Sequence, residues 1–133
     1  MRRLRTLVAL QFATLVAVVF AALVTGCASL PPSKSIEGAA SLAGTWRGRM
    51  SGPLGNAPLI LTIHDDGAYQ GVLYVAPTYR EVRGVISVAR PGFARYQGTD
   101  GNGRVTLYED ESRRVLRFVG DGGGRGAELT PSK

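Results

Sequence analysis

Eight short runs of alternating apolar and polar residues, joined by links too short for a crossover, leave this chain one kind of fold. The runs are Thr45 to Ser51, Pro58 to Asp65, Ala68 to Ala76, Glu81 to Ala89, Phe93 to Thr99, Gly103 to Glu109, Arg113 to Gly120 and Arg125 to Thr130. A period of two places every second side chain on one face, as in a half-buried strand. Consecutive runs start no more than 13 residues apart, whereas a parallel connection alone takes about a dozen residues or more. Sequence neighbours must therefore pair antiparallel. Asp66-Gly67, Asp100-Gly101 and Asp121-Gly122 fall between runs, where Asp-Gly supplies the positive φ angles of tight hairpins. An open meander would keep two unpaired edges, and closure removes both. The predicted fold is all-β, an antiparallel, eight-stranded up-and-down meander closing into a small barrel.

Trp46-x-Gly48, Tyr69-x-Gly71, Val82-x-Gly84 and Tyr96-x-Gly98 each set a large residue and a glycine on one strand face. Glycine inside a strand marks a kink or bulge, and a large neighbour can cover the gap, as tightly curved barrels require. The segment Leu42-Ala43-Gly44-Thr45-Trp46-Arg47-Gly48 resembles the Gly-x-Trp opening strand of lipocalin and related calycin barrels. It also resembles the opening of small periplasmic metalloprotease-inhibitor barrels, whose disulfide cysteines this chain lacks. In those families the tryptophan closes one barrel end by packing, so the resemblance implies a structural role for Trp46.

Ahead of the barrel, Met1-Arg2-Arg3-Leu4-Arg5 has the charge of a secretion-signal n-region. Leu7 to Val24 then runs 18 residues without a charge, long enough either to cross a bilayer core of about 30 Å or to be a signal that is removed. Val24-Thr25-Gly26-Cys27-Ala28 resembles the bacterial lipobox. The resemblance implies cleavage between Gly26 and Cys27, a thioether-linked diacylglycerol on Cys27 and a palmitate-type acyl chain on the new amino terminus. Acyl chains contribute about 0.8 kcal/mol per buried methylene, and stable anchoring takes more than one chain. Ala28 after the cysteine resembles the sorting pattern of outer-membrane lipoproteins, which implies the cell envelope and the periplasmic face of the outer membrane.

The expected organisation is a signal peptide over 1–26, a lipidated flexible tether over 27–43 and a β-barrel domain over 44–133. Ala28 to Leu42 holds two prolines and four serines without periodicity, as a tether would. Removing the signal leaves 107 residues, room for one core. Three of the 16 basic residues leave with it, so 13 face 10 acidic ones and the formal net charge falls to +3. Nucleic acid is not an expected partner. With the sole cysteine acylated, no disulfide forms and the fold rests on packing and hydrogen bonds.

Candidate chemistry is thin. His64 is the only histidine, on a strand with Leu59, Leu61 and Ile63 inward and Ile60, Thr62 and His64 outward, and Asp65-Asp66 after it suit a turn. Glu109-Asp110-Glu111 reads as a charged hairpin tip. Asp100-Gly101-Asn102 with Glu111 fails as a calcium loop, because Arg104 stands at the fifth position and Val105 replaces the glycine. Gly120 to Gly126 lacks the Gly-Lys-Ser/Thr end of a phosphate loop. Arg47, Arg49, Arg83, Arg113, Arg114 and Arg117 could form a basic outer face. No catalytic residue, metal set or cofactor is expected, and the chain does not read as an enzyme.

The expected function is a membrane-anchored binding module that presents an apolar interior or rim to a small hydrophobic or lipid-like ligand, with Trp46, Tyr69, Leu73 and Ile86 as the inward residues to meet it. Eight strands make an interior that is just filled or holds one small ligand, and side chains this large favour filling it. The alternative is an envelope interaction module, either an outer-membrane accessory or structural lipoprotein or a protease inhibitor that inserts Ser33 to Ala43 into a cleft.

Overall fold

The computed structural model describes residues 29–53 and 55–133. The expected signal peptide, the expected cleavage point at Gly26 and the expected lipidation site Cys27 lie outside the described residues. A short strand β1 (Ser33–Lys34) and one 3₁₀ turn (Ala39–Leu42) come first. Eight strands follow: β2 (Gly44–Gly52), β3 (Gly55–Ile63), β4 (Ala68–Val75), β5 (Thr78–Arg90), β6 (Phe93–Gly98), β7 (Gly101–Glu109), β8 (Arg114–Gly120) and β9 (Gly126–Pro131).

From β2 to β9 every strand pairs antiparallel with its sequence neighbour, and β9 returns to pair with β2, from Trp46↔Pro131 to Ser51↔Gly126. The sheet is thus a closed eight-stranded barrel. All eight expected strands are present. The largest differences are at the starts of β3 and β5, each of which begins three residues earlier than the alternation indicates, because their first residues lie at a barrel mouth where alternation carries no burial signal.

Inward parity falls on Trp46, Leu59, Leu61, Ile63, Tyr69, Leu73, Val82, Ile86, Tyr96, Phe118 and Leu129, all buried. Glycines share that face where a neighbouring strand's backbone comes too close for a side chain. A Cβ at Gly48 would overlap the Glu128 carbonyl oxygen across the β2/β9 seam, and one at Gly71 the Ile60 carbonyl oxygen. Only a residue without Cβ lets the strands curve that closely.

One end of the barrel is plugged by part of the stretch read as a tether. β1 pairs with β7 through Ser33↔Tyr108 and Lys34↔Leu107, a part of β7 beyond its β6 partners, which end at Ala94↔Val105. Ile36 and Leu42 are buried in the core, each contributing about 1.5–3 kcal/mol by apolar burial. Two apolar side chains six residues apart show no periodicity, so their joint burial has no signature in the sequence. Trp46 lies against this plug, 1% exposed. Its Nε1 donates to the Leu42 carbonyl oxygen at 2.8 Å. Arg114 sits over the indole, 5.3 Å from ring to guanidinium, and donates to the Ser41 carbonyl oxygen at 3.0 Å.

Glu109 ties the plug to the wall, accepting from Lys34 Nζ at 2.7 Å and from Arg114 Nε at 2.6 Å. Those two bonds, Lys34's first, hold its carboxyl below the usual value of 4.5. Because the folded value is the lower, this stabilisation is whole above pH 4.5 and is lost as pH falls through the folded value. Glu109→Gln should therefore flatten the acid limb of stability against pH, read by urea unfolding at a series of pH values. An unchanged acid limb would remove Glu109 from the account.

Candidate functional site

The β2–β3, β4–β5, β6–β7 and β8–β9 hairpins gather at the end opposite the plug. There a groove of about 580 Å³ opens between the β2–β3 and β4–β5 hairpins. Its walls are Met50, Ala57, Pro58, Leu73, Tyr74, Val75 and Ala76, and its polar groups include Arg80, Asp100 and Arg125. A space of that size lies within the range of small-molecule sites, about 300–1,000 Å³.

The barrel interior is different. It holds a cavity of about 30 Å³ lined by Met50, Leu59, Leu61, Tyr69, Val82, Tyr96, Asp100, Phe118, Gly126 and Ala127. One water needs about 10–15 Å³, so this cavity takes a very small group and no ligand body. The interior is filled because aromatic rings cross it. Phe118 packs edge-on against Tyr96 at 5.2 Å and Tyr69 at 6.2 Å, and Tyr69 lays its ring along the wall so that its hydroxyl lies over the paired glycines Gly84 and Gly98 of the next two strands.

Arg80 has the inward parity of Val82 and Ile86, and its Nη2 donates to Asp100 Oδ1 at 2.6 Å. Arg125 Nη1 donates to the Asp100 carbonyl oxygen at 3.4 Å. The Asp100 side chain is 14% exposed, and its Oδ2 is buried without a hydrogen-bond donor in the protein. An unsatisfied polar atom of this kind costs about 1–3 kcal/mol. Burial pushes the Tyr69 hydroxyl up to about 12, with smaller contributions from Tyr96 and the negative charge of Asp100. Burial also raises Tyr96, helped by Asp121 and Asp100 and opposed by Arg125 and Arg95. Both phenols therefore remain protonated donors at neutral pH.

The four expected ligand residues are all buried, and they separate. Leu73 lines the groove and Tyr69 the small cavity. Trp46 and Ile86 line neither space and belong to the packed core. Nothing in the alternation brings Arg80, Asp100 and Arg125 together at this groove. Asp100 precedes a glycine and reads as a turn residue, and a strand begun at Glu81 leaves Arg80 in a loop. Extending the β5 alternation backwards past Val82 would have shown an arginine on an apolar face.

Other sequence candidates take local roles. His64 is exposed in the β3–β4 turn, where Gly67 donates to its carbonyl oxygen at 3.0 Å and Asp66 Oδ1 accepts from the Ala68 amide at 2.9 Å. Asp110 Oδ1 accepts from the Ser112 amide, the Ser112 hydroxyl and the Arg113 amide, holding the β7–β8 hairpin. Asp100 and Glu111 lie at opposite ends of β7. The six-arginine face does not assemble. Arg83 pairs with Glu81, Arg113 with the Ser29 carbonyl and Arg114 with the plug, while Arg49 and Arg117 flank Glu128 on the outer wall. Among the described residues no three His, Cys, Asp or Glu side chains come together as a metal ligand set.

Compared with known proteins, the chain matches no family model, no curated protein and no solved structure.

Proposed function

We propose that this chain is a cell-envelope lipoprotein, held by lipid on Cys27 to the periplasmic face of the outer membrane. Its barrel is a non-catalytic binding module for a small hydrophobic or lipid-like ligand, taken in the groove at the open end. The observation that carries the reading is the contrast between a groove of about 580 Å³ with apolar walls and an interior cavity of about 30 Å³.

The polarity of the barrel supports it. Ser29 is bound at the plugged end through Arg113, and Cys27 precedes Ser29 by two residues, at most about 7 Å of chain. A lipid there would tether the plugged end and leave the groove facing away from the membrane. The non-catalytic reading is supported by the groove chemistry. Its Arg80 and Asp100 neutralise each other, and the Ser51 hydroxyl donates to the Gly126 carbonyl oxygen with no base beside it.

Two measurements test the halves separately. Metabolic palmitate labelling should mark the wild-type chain and leave Cys27→Ala unlabelled in the soluble fraction; equal labelling would sink the anchor. Mass spectrometry of organic extracts should find an apolar small molecule carried by the wild type and depleted when Val75→Arg, at an exposed position of the groove wall, blocks it. Empty extracts from both proteins would remove the carrier reading.

A second reading, an envelope interaction module, is favoured by an exposed apolar strip on the outer wall of β3, β4 and β5. Ile60 lies beside Val72, and Tyr74 and Tyr79 pack their rings at 4.9 Å, with Tyr79 74% exposed. The inhibitor form of that reading is less well supported, because Ser33 to Ala43 is paired to β7 and anchored by Ile36 and Leu42. Comparing protease activity with the whole chain and with a chain truncated to Gly44 tests that form.

A further inference from the structure

Met50 and Asp100 line both the groove and the inner cavity. These two side chains therefore separate the spaces, one a flexible thioether that yields to a neighbour's shape, the other a carboxylate with its two oxygens in different situations. Oδ1 is taken by Arg80 at 2.6 Å. Oδ2 is buried, and neither Tyr69 nor Tyr96 donates to it although both line the same cavity.

A buried acceptor of this kind calls for a donor, and the surrounding charge decides which. An ammonium would satisfy Oδ2 but add a positive charge beside Arg80, which already neutralises Asp100, and beside Arg125. A carboxylate would face Oδ2 with like charge. An ester or ether has no proton to give. A neutral O–H donates without adding charge, as a water in this cavity of about 30 Å³ would, and a terminal hydroxyl is the group by which an apolar chain can take that water's place.

We propose that the barrel mouth selects a neutral amphiphile ending in a hydroxyl group, which passes Met50 to donate its proton to Asp100 Oδ2 while its apolar chain lies along Leu73 and Val75 in the groove. This rests on the reading of the groove as a ligand site, and it names the ligand's chemical class. The chain holds two methionines, Met1 and Met50, and loss of the proposed signal peptide leaves Met50 alone, so in a protein labelled with ¹³C-methyl methionine its resonance is the one to follow.

The test is titration of the full chain, held in amphipol, with 1-octanol, octanoate, octylammonium and 1-methoxyoctane. Met50 should respond to 1-octanol with a Kd at least tenfold below that for the other three. In Asp100→Ala the alcohol should lose its advantage over the methyl ether to within about twofold, the fold being checked by circular dichroism. Should that variant not fold, Arg80→Met, which leaves both carboxylate oxygens to be satisfied, should strengthen octylammonium relative to 1-octanol. Equal response to the alcohol and its methyl ether, or an alcohol preference that survives Asp100→Ala, overturns the hydroxyl assignment while keeping the groove as a ligand site. No response of Met50 to any probe overturns both.

Discussion

Trp46→Ala is expected to lose about 3–5 kcal/mol of stability, the range for truncating a buried tryptophan, against a total of about 5–15 kcal/mol for a typical domain. The side chain is 1% exposed and does three things at once. It fills the plugged end beneath Leu42, gives its Nε1 proton to the Leu42 carbonyl oxygen at 2.8 Å, and lies under Arg114 at 5.3 Å. Removing it opens a cavity, orphans that carbonyl and loosens the guanidinium that also ties Ser41 to Glu109. The loss should appear as a lower urea midpoint at nearly constant m. Trp46→Phe should fall between, keeping most of the packing and losing the hydrogen bond. A midpoint unmoved by Trp46→Ala would show that the plug does not close the barrel in the way described.

Gly98→Ala should cost about 1–3 kcal/mol or more, because overpacking a filled core is resisted by its neighbours. A Cβ there would overlap both the Tyr69 hydroxyl and the Arg83 carbonyl oxygen. One obstacle is a side-chain atom and the other is backbone, so the two can be told apart. Tyr69→Phe removes the hydroxyl alone and should recover part of the loss, giving a coupling of about 0.5–3 kcal/mol in a double-mutant cycle. Strict additivity of the two substitutions would mean that the Tyr69 ring does not lie over the neighbouring Gly84–Gly98 pair.

These two sites show how unevenly the structure was legible. The x-Gly spacing at Trp46, Tyr69, Val82 and Tyr96 announced a sharply curved wall, since a glycine on a buried strand face needs a reason that lies nearby in the chain. Gly103, whose Cβ would overlap the Val119 carbonyl oxygen, belongs to the same set and escaped because no bulky residue stands two before it. The plug escaped altogether. Ile36 and Leu42 sit in a polar, proline-containing stretch, and only the barrel end they fill gives them a common purpose. The separation of Leu73 from Tyr69 has a related cause: inward parity marks both as buried, but parity says nothing about how deep along the barrel axis a residue lies.

From the sequence alone came the eight antiparallel strands, the hairpins between them and the faces their side chains take. Those follow from alternation and link length, which act over a few residues at a time. The tertiary structure decided that the interior is filled, that Lys34, Glu109 and Arg114 lock a plug across one end, and that Arg80 meets Asp100 at the other. Such meetings depend on the stagger and curvature of the closed sheet, which join residues 20 positions apart at the mouth and 75 apart at the plug. No local pattern encodes them, because each partner's burial exists only after the wall has closed.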